Sequence, residues 1–494
     1  MEMEMEPKRK SKRFNLYLAV MAANVGAFSL GSLYNWTSPA LPKLSAADSW
    51  LPITTTQASW IGSLIGIGSI FGPFIGGVLV DTVGRKGSMI LAVLVGLVAW
   101  AMLYFTTAVW HIYISRIIGG IGGGIVFTCV PLYIAEIAED DIRSALGSTL
   151  NFFFASGYLI EYIFGPWVSH WNLILISCVA PILFFIMCPF IPESPYYYIL
   201  KDDIENAHKS LKKLRTGWPK KDIEMELEVI KESVQEAMRE KGTLLELVAT
   251  PTNRKALLLS CGAMTFQQMS GINVVLFYSE TIFNLAGDIT VGSWVIKSSS
   301  STIVVAVILI IFAGVAMPLT KMYGIRNMLI TSAAGMVGFQ TITGFWFFVQ
   351  YQGVDVSSTS WIPLFNLVGY VVTYSLGYGP LPTAVKGEVF PPNVKGISSA
   401  VTVGYSWGLS FVITKLFPHI NEVCGMFTVF WIFSVSCFLA TLFSIYLMID
   451  TRNLSLQEIQ DLLNGKRKKK TPEPVKKKKS WFPRKQVLDI NTIA

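Results

Sequence analysis

Apolar runs of about twenty residues recur along the chain, each long enough to cross a bilayer as a helix. Twelve are legible, at about 14–36, 57–80, 88–107, 110–135, 145–168, 171–191, 254–284, 296–318, 325–350, 360–385, 397–418 and 424–448. Short polar loops separate them, with one long exception, 192–253, where Lys and Glu alternate around periodic Leu and Ile. That pattern predicts amphipathic helices over 202–214 and 221–239. The fold class that follows is an all-α membrane protein of twelve transmembrane helices. The predicted order is a short N-terminal segment, 1–13; a first bundle, 14–191; a linker, 192–253; a second bundle, 254–448; and a basic tail, 449–494, without periodicity and expected to be disordered.

The pattern is violated most heavily in the seventh run. Gln267, Gln268, Ser270 and Asn273 sit inside apolar sequence, around Gly271. An unpaired amide moved into hydrocarbon costs on the order of 4–8 kcal/mol, so such groups face a wet cavity or a neighbouring helix. At about 100° per residue, Gln267 and Asn273 point to different sides of a straight helix. A break at Gly271 lets both reach one cavity. Amides donate and accept together, which suits a neutral, polyhydroxylated solute.

Charge settles orientation. The proposed outer loops hold little more than Lys43 and Lys297. The inner ones hold Arg85, Lys86, Arg143, the linker lysines, Lys321, Arg326, Lys386 and Lys395. This places both termini in the cytoplasm, with the first span read as a retained anchor. The net charge of +8 is concentrated at the ends and inner loops, as at 466–470 and 476–479. It therefore points to anionic lipid rather than nucleic acid. Six cysteines and four histidines show no metal spacing, disulfide framework or nucleophile–base grouping, so no metal, cofactor or enzyme activity is expected. Asn35-Trp36-Thr37 is a glycosylation sequon on the outer side; Asn453-Leu454-Ser455 lies on the inner side.

The chain also repeats itself at a spacing of about 250 residues. Asp81-Thr-Val-Gly84-Arg85-Lys86 corresponds to Lys321-Met-Tyr-Gly324-Ile-Arg326. Glu136 with Arg143 corresponds to Glu388 with Lys395, and Pro192-Glu193-Ser194-Pro195 to Asp450-Thr451-Arg452. Two pseudo-symmetric six-helix bundles are implied, with a site between them near the mid-plane. The recurring inner charges are suited to locking and releasing the inner helix ends.

Six stretches, in order, now resemble one family. They are Gly77-Val-Leu-Val-Asp81-Thr-Val-Gly84-Arg85-Lys86, Arg116-Ile-Ile-Gly119-Gly-Ile-Gly122, Pro131-Leu-Tyr133-Ile-Ala-Glu136, Pro192-Glu193-Ser194-Pro195, Gln267-Gln268-Met-Ser-Gly271-Ile-Asn273 and Gly379-Pro380-Leu-Pro382. From about 14 to 463 the chain resembles the sugar porters of the major facilitator superfamily, and among them the insect facilitated trehalose and glucose transporters. The resemblance implies the major facilitator fold and facilitated transport of a hexose or trehalose across the plasma membrane. It implies sugar contacts from Gln267, Gln268, Asn273, Asn151 and Trp407, with Thr383 where the family usually has Trp. It implies an outer gate at Phe277 and Tyr278, and flexible breaks at Gly271 and at Gly377, Pro380 and Pro382. A cytoplasmic charge network of Asp81, Arg85, Lys86, Arg116, Glu136, Arg143, Glu193, Glu388 and Lys395 is expected as well.

The departures from the family pattern are Thr383, Ser375 for Glu, Ser406 for Asn, Tyr196 for Arg, Lys321 for an acid and Ile325 for a base. Ser32 stands where proton-coupled relatives carry a carboxylate, and no Asp or Glu lies between Phe14 and Trp36. Uncoupled transport is therefore favoured. Two alternatives stay open: proton symport through Glu161 of the fifth span, and a non-transporting sugar sensor, motivated by Lys321, Thr383 and the basic tail.

Overall fold

A computed structural model describes residues 13–239, 243–291, 294–450, 454 and 456–464. The basic tail beyond 464, Arg452, Asn453 and all but the last residue of the 1–13 segment lie outside the described residues. Twelve spans follow the apolar runs. Spans 1 to 6 are Phe14–Asn35, Thr55–Thr82, Arg85–Tyr104, Val109–Ile137, Asp140–Phe164, and the pair His170–Ser177 and Val179–Met187. Span 7 comprises Pro251–Met269, Ile272–Phe277 and Ser279–Ala286. Spans 8 and 9 are Ser298–Tyr323 and Ile325–Tyr351. Span 10 comprises Trp361–Leu376 and Leu381–Val389, and spans 11 and 12 are Lys395–Cys424 and Met426–Tyr446. The architecture is the expected twelve-helix arrangement, six spans on each side of the linker.

Nine helices among the described residues are long and apolar enough to cross a membrane. The spans not represented among them are 5, 7 and 10, which carry Asn151 and Glu161, the amide cluster, and the glycine–proline stretch. Polar residues and breaks lower the apolar run where the pathway must be wet. Span 6 also divides, at Cys178. Pro181 has no N–H to offer the carbonyl of Ser177 one turn earlier.

Small residues set the packing of the first bundle. Gly68 and Gly72 of span 2 meet Gly120 and Gly124 of span 4, backbone against backbone; a Cβ at any of the four would overlap main-chain atoms opposite. This is the small-residue seam by which membrane helices gain close contact where no hydrophobic drive exists between them.

The repeat reappears in the backbone. Gly84 and Gly324 both hold positive φ, +94° and +82°, at the inner turns before spans 3 and 9. In the first half the turn is reinforced from afar. Glu193 accepts from the backbone N–H groups of Arg85 (2.9 Å) and Lys86 (3.0 Å), the first residues of span 3, and from Ser194 (2.8 Å). A carboxylate there satisfies orphan donors and meets the positive helix end. Burial pushes the Glu193 carboxyl above its ordinary range, while these donors pull it back.

Ile204–Leu214 and Lys220–Arg239 form the two predicted linker helices. They share a small core of Leu211, Ile223, Ile230 and Val234. Arg215 anchors them: its guanidinium pairs with Glu226 at 2.6 Å and donates to the Ile137 carbonyl at the inner end of span 4 (2.8 Å). The Tyr197 hydroxyl donates to the Thr82 carbonyl (3.0 Å), so this layer is fixed to the first bundle. On the second bundle, the helix Leu456–Leu463 is held by Lys255 to the Leu463 carbonyl (2.8 Å) and Gln460 to the Val389 carbonyl (2.7 Å). Neither this helix, nor Thr37–Ser45 outside span 1, nor the hairpin pairing Ile289–Val291 with Trp294–Ile296 was legible in the apolar pattern.

Glu193→Ala is expected to lower the stability of the purified protein in detergent by about 1–2 kcal/mol, as for a lost helix cap. A thermal unfolding midpoint equal to that of the parent would show that the carboxylate caps nothing that matters.

Candidate functional site

Span 7 starts cleanly. The Thr250 hydroxyl accepts from Asn253 N–H, and Pro251 occupies the first turn. The helix stops at Met269, because Gly271 adopts φ +85°, which a residue with a Cβ tolerates poorly. A second helix begins at Ile272. Gln268 and Asn273, divergent on a straight helix, now meet: Asn273 Nδ2 donates to Gln268 Oε1 at 2.8 Å.

The amides also reach other spans. Gln267 Nε2 donates to the carbonyls of Tyr378 and Gly379, each 2.8 Å, within the break of span 10. Gln268 Nε2 donates to Ser406 Oγ and Asn273 Nδ2 to Ser410 Oγ, both 2.8 Å and both on span 11. Span 10 breaks where the sequence places Gly377, Tyr378, Gly379 and Pro380, and Pro382 lies in the first turn of its inner half. The break is held from behind by Ser332 Oγ, which accepts from the Tyr378 N–H (3.1 Å), and by Ser444, whose hydroxyl meets that of Tyr378 at 2.9 Å.

Next to Ser406, Trp407 of span 11 meets Tyr34 of span 1 edge-on, centroids 5.3 Å apart. Phe154 of span 5 packs on the same tyrosine at 5.2 Å. Asn151 lies one turn inward of Phe154 on the same helical face and is exposed. Thr383 is exposed too, with its hydroxyl turned back to the Pro380 carbonyl at 2.6 Å.

Away from these groups the two bundles are in contact. Phe277 and Tyr278 are 1% and 2% exposed. The Tyr278 hydroxyl donates to the Thr414 carbonyl (3.1 Å), its ring packs on Phe417 (4.8 Å), and it fills the space over Gly62. Tyr162 of span 5 donates to the Leu276 carbonyl (2.7 Å). Lys415 of span 11 donates to Ser59 of span 2 (2.6 Å), with its ammonium 3.9 Å from the Trp60 ring centre.

The inner charges fall into two groups. Asp81, Arg85, Lys86, Glu136 and Glu193 gather at the inner end of the first bundle. There Arg85 pairs with Glu136 at 2.6 Å and approaches Asp81 at 4.0 Å. Arg143 donates to the Ala138 carbonyl at the start of span 5 (3.1 Å). Glu388 and Lys395 stand on the second bundle, Lys395 exposed.

Two expectations are corrected. Arg116 is no part of the cytoplasmic network. It lies in the outer half of span 4, fully buried, and its guanidinium donates to the carbonyls of Leu33 (2.5 Å), Tyr34 (3.0 Å) and Ile61 (3.2 Å), joining spans 1, 2 and 4. The motif carrying it follows the loop between spans 3 and 4, at the end of span 4 opposite Glu136. Asn35 is no glycosylation acceptor in this fold. Its side chain and that of Thr37 are fully buried, and Nδ2 faces the Tyr158 carbonyl (3.4 Å). Glu161 is buried and accepts from Ser177 of span 6 (2.6 Å).

The sequence reading missed Tyr34, Tyr162, Ser410 and Lys415. Two signals were available: Ser399, Ser406 and Ser410 share a stripe of span 11 at i, i+7 and i+11, and a lysine within an apolar span marks a functional position.

A family model described as "Sugar (and other) transporter" matches residues 14–463. The facilitated trehalose transporter Tret1 of Polypedilum vanderplanki is 32% identical over 452 residues, which is 91% of this chain and 88% of that protein. The protein of the same name from Apis mellifera ligustica is 32% identical over 464 residues, 93% and 90% respectively. Among solved structures, the inward open conformation of the xylose transporter XylE from E. coli superposes with a TM-score of 0.75 at 22% identity, covering 90% of this chain and 99% of that one.

A valine at Gly62 must collide with the Tyr278 hydroxyl. Overpacking of this kind costs about 1–3 kcal/mol, enough to shift a closed–open balance roughly tenfold or more. In Gly62→Val, a cysteine introduced at Ser410 should react faster with an impermeant thiol reagent added outside than it does in the parent. Equal rates would contradict a closing role for the Tyr278–Gly62 contact.

Proposed function

The chain belongs to the Sugar (and other) transporter family, a family of transporters rather than enzymes, and on that premise we propose that it lets an uncharged sugar, trehalose or a hexose, cross the plasma membrane by facilitated diffusion. Both termini lie in the cytoplasm in this reading, and the basic tail lies against anionic lipid. The observation that carries it is the set of amides around the span 7 break: Gln268 and Asn273 meet each other and bond to span 11, while Gln267 bonds to the break of span 10.

The amides act by exchanging partners. Their N–H groups donate to two main-chain carbonyls, two serine hydroxyls and, from Asn273, the Gln268 amide oxygen. A sugar offers hydroxyls of the same capacity and takes those places, while the serines and carbonyls become contacts in their turn. Few net bonds are gained, which keeps binding reversible: a millimolar constant corresponds to about −4 kcal/mol, a handful of bonds at about 1 kcal/mol each. Because Gln267 ties span 7 to the break of span 10, its change of partner loosens the two mobile elements together. Tyr278 and Phe277 then part from the first bundle and the outer path opens, while Glu388 and Lys395 close toward the inner charges of the first bundle.

The relatives are named as trehalose transporters, and Thr383 in place of the family's tryptophan leaves room for a disaccharide. Uncoupled movement fits span 1, where the Ser32 hydroxyl donates to the Ser29 carbonyl (2.9 Å) and no carboxylate is present. Proton symport would have to rest on Glu161, whose hydrogen-bond partner belongs to span 6 rather than to the amide cluster.

Gln268→Ala and Asn273→Ala each remove an amide hydrogen bond worth about 1–3 kcal/mol when the partner is left buried. Uptake of labelled trehalose and glucose in oocytes should fall about tenfold or more at unchanged surface expression, and a protonophore should leave parent uptake unaltered. Unchanged uptake in both variants would refute the site. Loss with the protonophore would overturn the uncoupled reading in favour of symport.

A further inference from the structure

The break of span 7 exposes main-chain groups that an intact helix would pair, and it does so deep within the second bundle. The carbonyl of Ser270 is the clearest instance. It accepts from Gln340 Nε2 of span 9 at 2.7 Å and from the Tyr370 hydroxyl of span 10 at 3.1 Å. Ser270 Oγ meets the same tyrosine hydroxyl at 3.3 Å and donates to the Gln267 carbonyl at 2.7 Å. Ser270 and Tyr370 are fully buried and Gln340 is 1% exposed. Solvent reaches almost nothing of the three.

Gln340 is costly where it stands. Its Nε2 has the Ser270 carbonyl, but its Oε1 is buried without a hydrogen-bond partner. A methionine would fill the same space without a half-satisfied amide, so packing alone gives no reason for the residue. The donor itself supplies one. Gly271 turns span 7 at φ +85° between Gln268 and Asn273, and the ring of Phe433 blocks the space behind it. Fixing the Ser270 carbonyl fixes the peptide that leads into that turn, and hence the angle at which the two amides meet.

We infer that Gln340, assisted by Tyr370, is a positioning residue for the sugar site: it pins the Ser270–Gly271 turn and thereby sets the geometry of the Gln267, Gln268 and Asn273 amides without touching the solute. The inference rests on the proposed transport function for its sugar half, and on the geometry of the break alone for the pin.

The test uses the full-length protein with Gln340→Met, which keeps length and volume but removes the donor, and Tyr370→Phe. Two measurements separate the halves. Hydrogen exchange of the peptide covering 266–278, in purified protein without sugar, should be faster in both variants, while other spans stay as in the parent. Uptake of labelled trehalose and glucose should show KM raised roughly fivefold to tenfold, the size of one lost hydrogen bond, with turnover per surface molecule kept within about twofold. Lower expression with unchanged KM would mark Gln340 as ordinary interhelical glue and overturn the positioning role. Unaltered exchange would overturn the pin. If the parent moves neither sugar, the transport reading falls together with the sugar half, and the exchange measurement alone decides the pin.

Discussion

Hydrocarbon offers a main chain nothing to bond to, so every N–H and C=O within a bilayer must find its partner in protein or in enclosed water. Breaking a transmembrane helix is therefore a commitment of side chains. In this protein span 7 breaks at Gly271 and span 10 between Gly377 and Pro380, and the two repairs are shared. Gln267 donates to the carbonyls that span 10 leaves open; Gln340 and Tyr370 donate to one that span 7 leaves open. The groups that mend the breaks are the same chemical kind as those that can hold a sugar, so solvating the backbone and solvating the solute become alternatives of similar energy.

From that equivalence the rest of the architecture takes its meaning. Elements that must move are the ones held by exchangeable hydrogen bonds, whereas those that must not are held otherwise. The first bundle has a glycine seam between spans 2 and 4, and a fully buried Arg116 that ties the outer ends of spans 1, 2 and 4 through three carbonyls. A charge bonded in this way, in so dry a place, is expensive to displace. Against this half, the second bundle closes by packing Tyr278 over Gly62 and by single hydrogen bonds, Tyr162 to the Leu276 carbonyl and Lys415 to Ser59. Each of these contacts is modest enough to part on turnover.

What could be read from sequence divides along the same line. Twelve spans, the two linker helices and the polar character of span 7 follow from apolar periodicity and from the cost of burying amides, so they were legible. The partners of those amides were not. Nothing in the order Gln267-Gln268 says that one faces span 10 and the other span 11, because that depends on the left-handed turn three residues on and on where two other helices lie. Arg116 was placed with the cytoplasmic charges through the family resemblance, although it stands at the end of span 4 opposite Glu136. Asn35 fits a glycosylation sequon by composition, yet burial of both Asn35 and Thr37 removes it from reach. Composition marks a residue as capable of a chemistry; only packing decides whether solvent, solute or another helix receives it.

The account stands on amides that give up protein partners for a carbohydrate and take them back on the other side. Counterflow in liposomes of purified protein measures that exchange with no other component present. With unlabelled trehalose or glucose inside, and no ion gradient, labelled sugar should accumulate transiently above its outside concentration and then leave. Vesicles that bind labelled saccharide without this overshoot, or take up none at all, would contradict transport by partner exchange and leave the chain a sensor or something else.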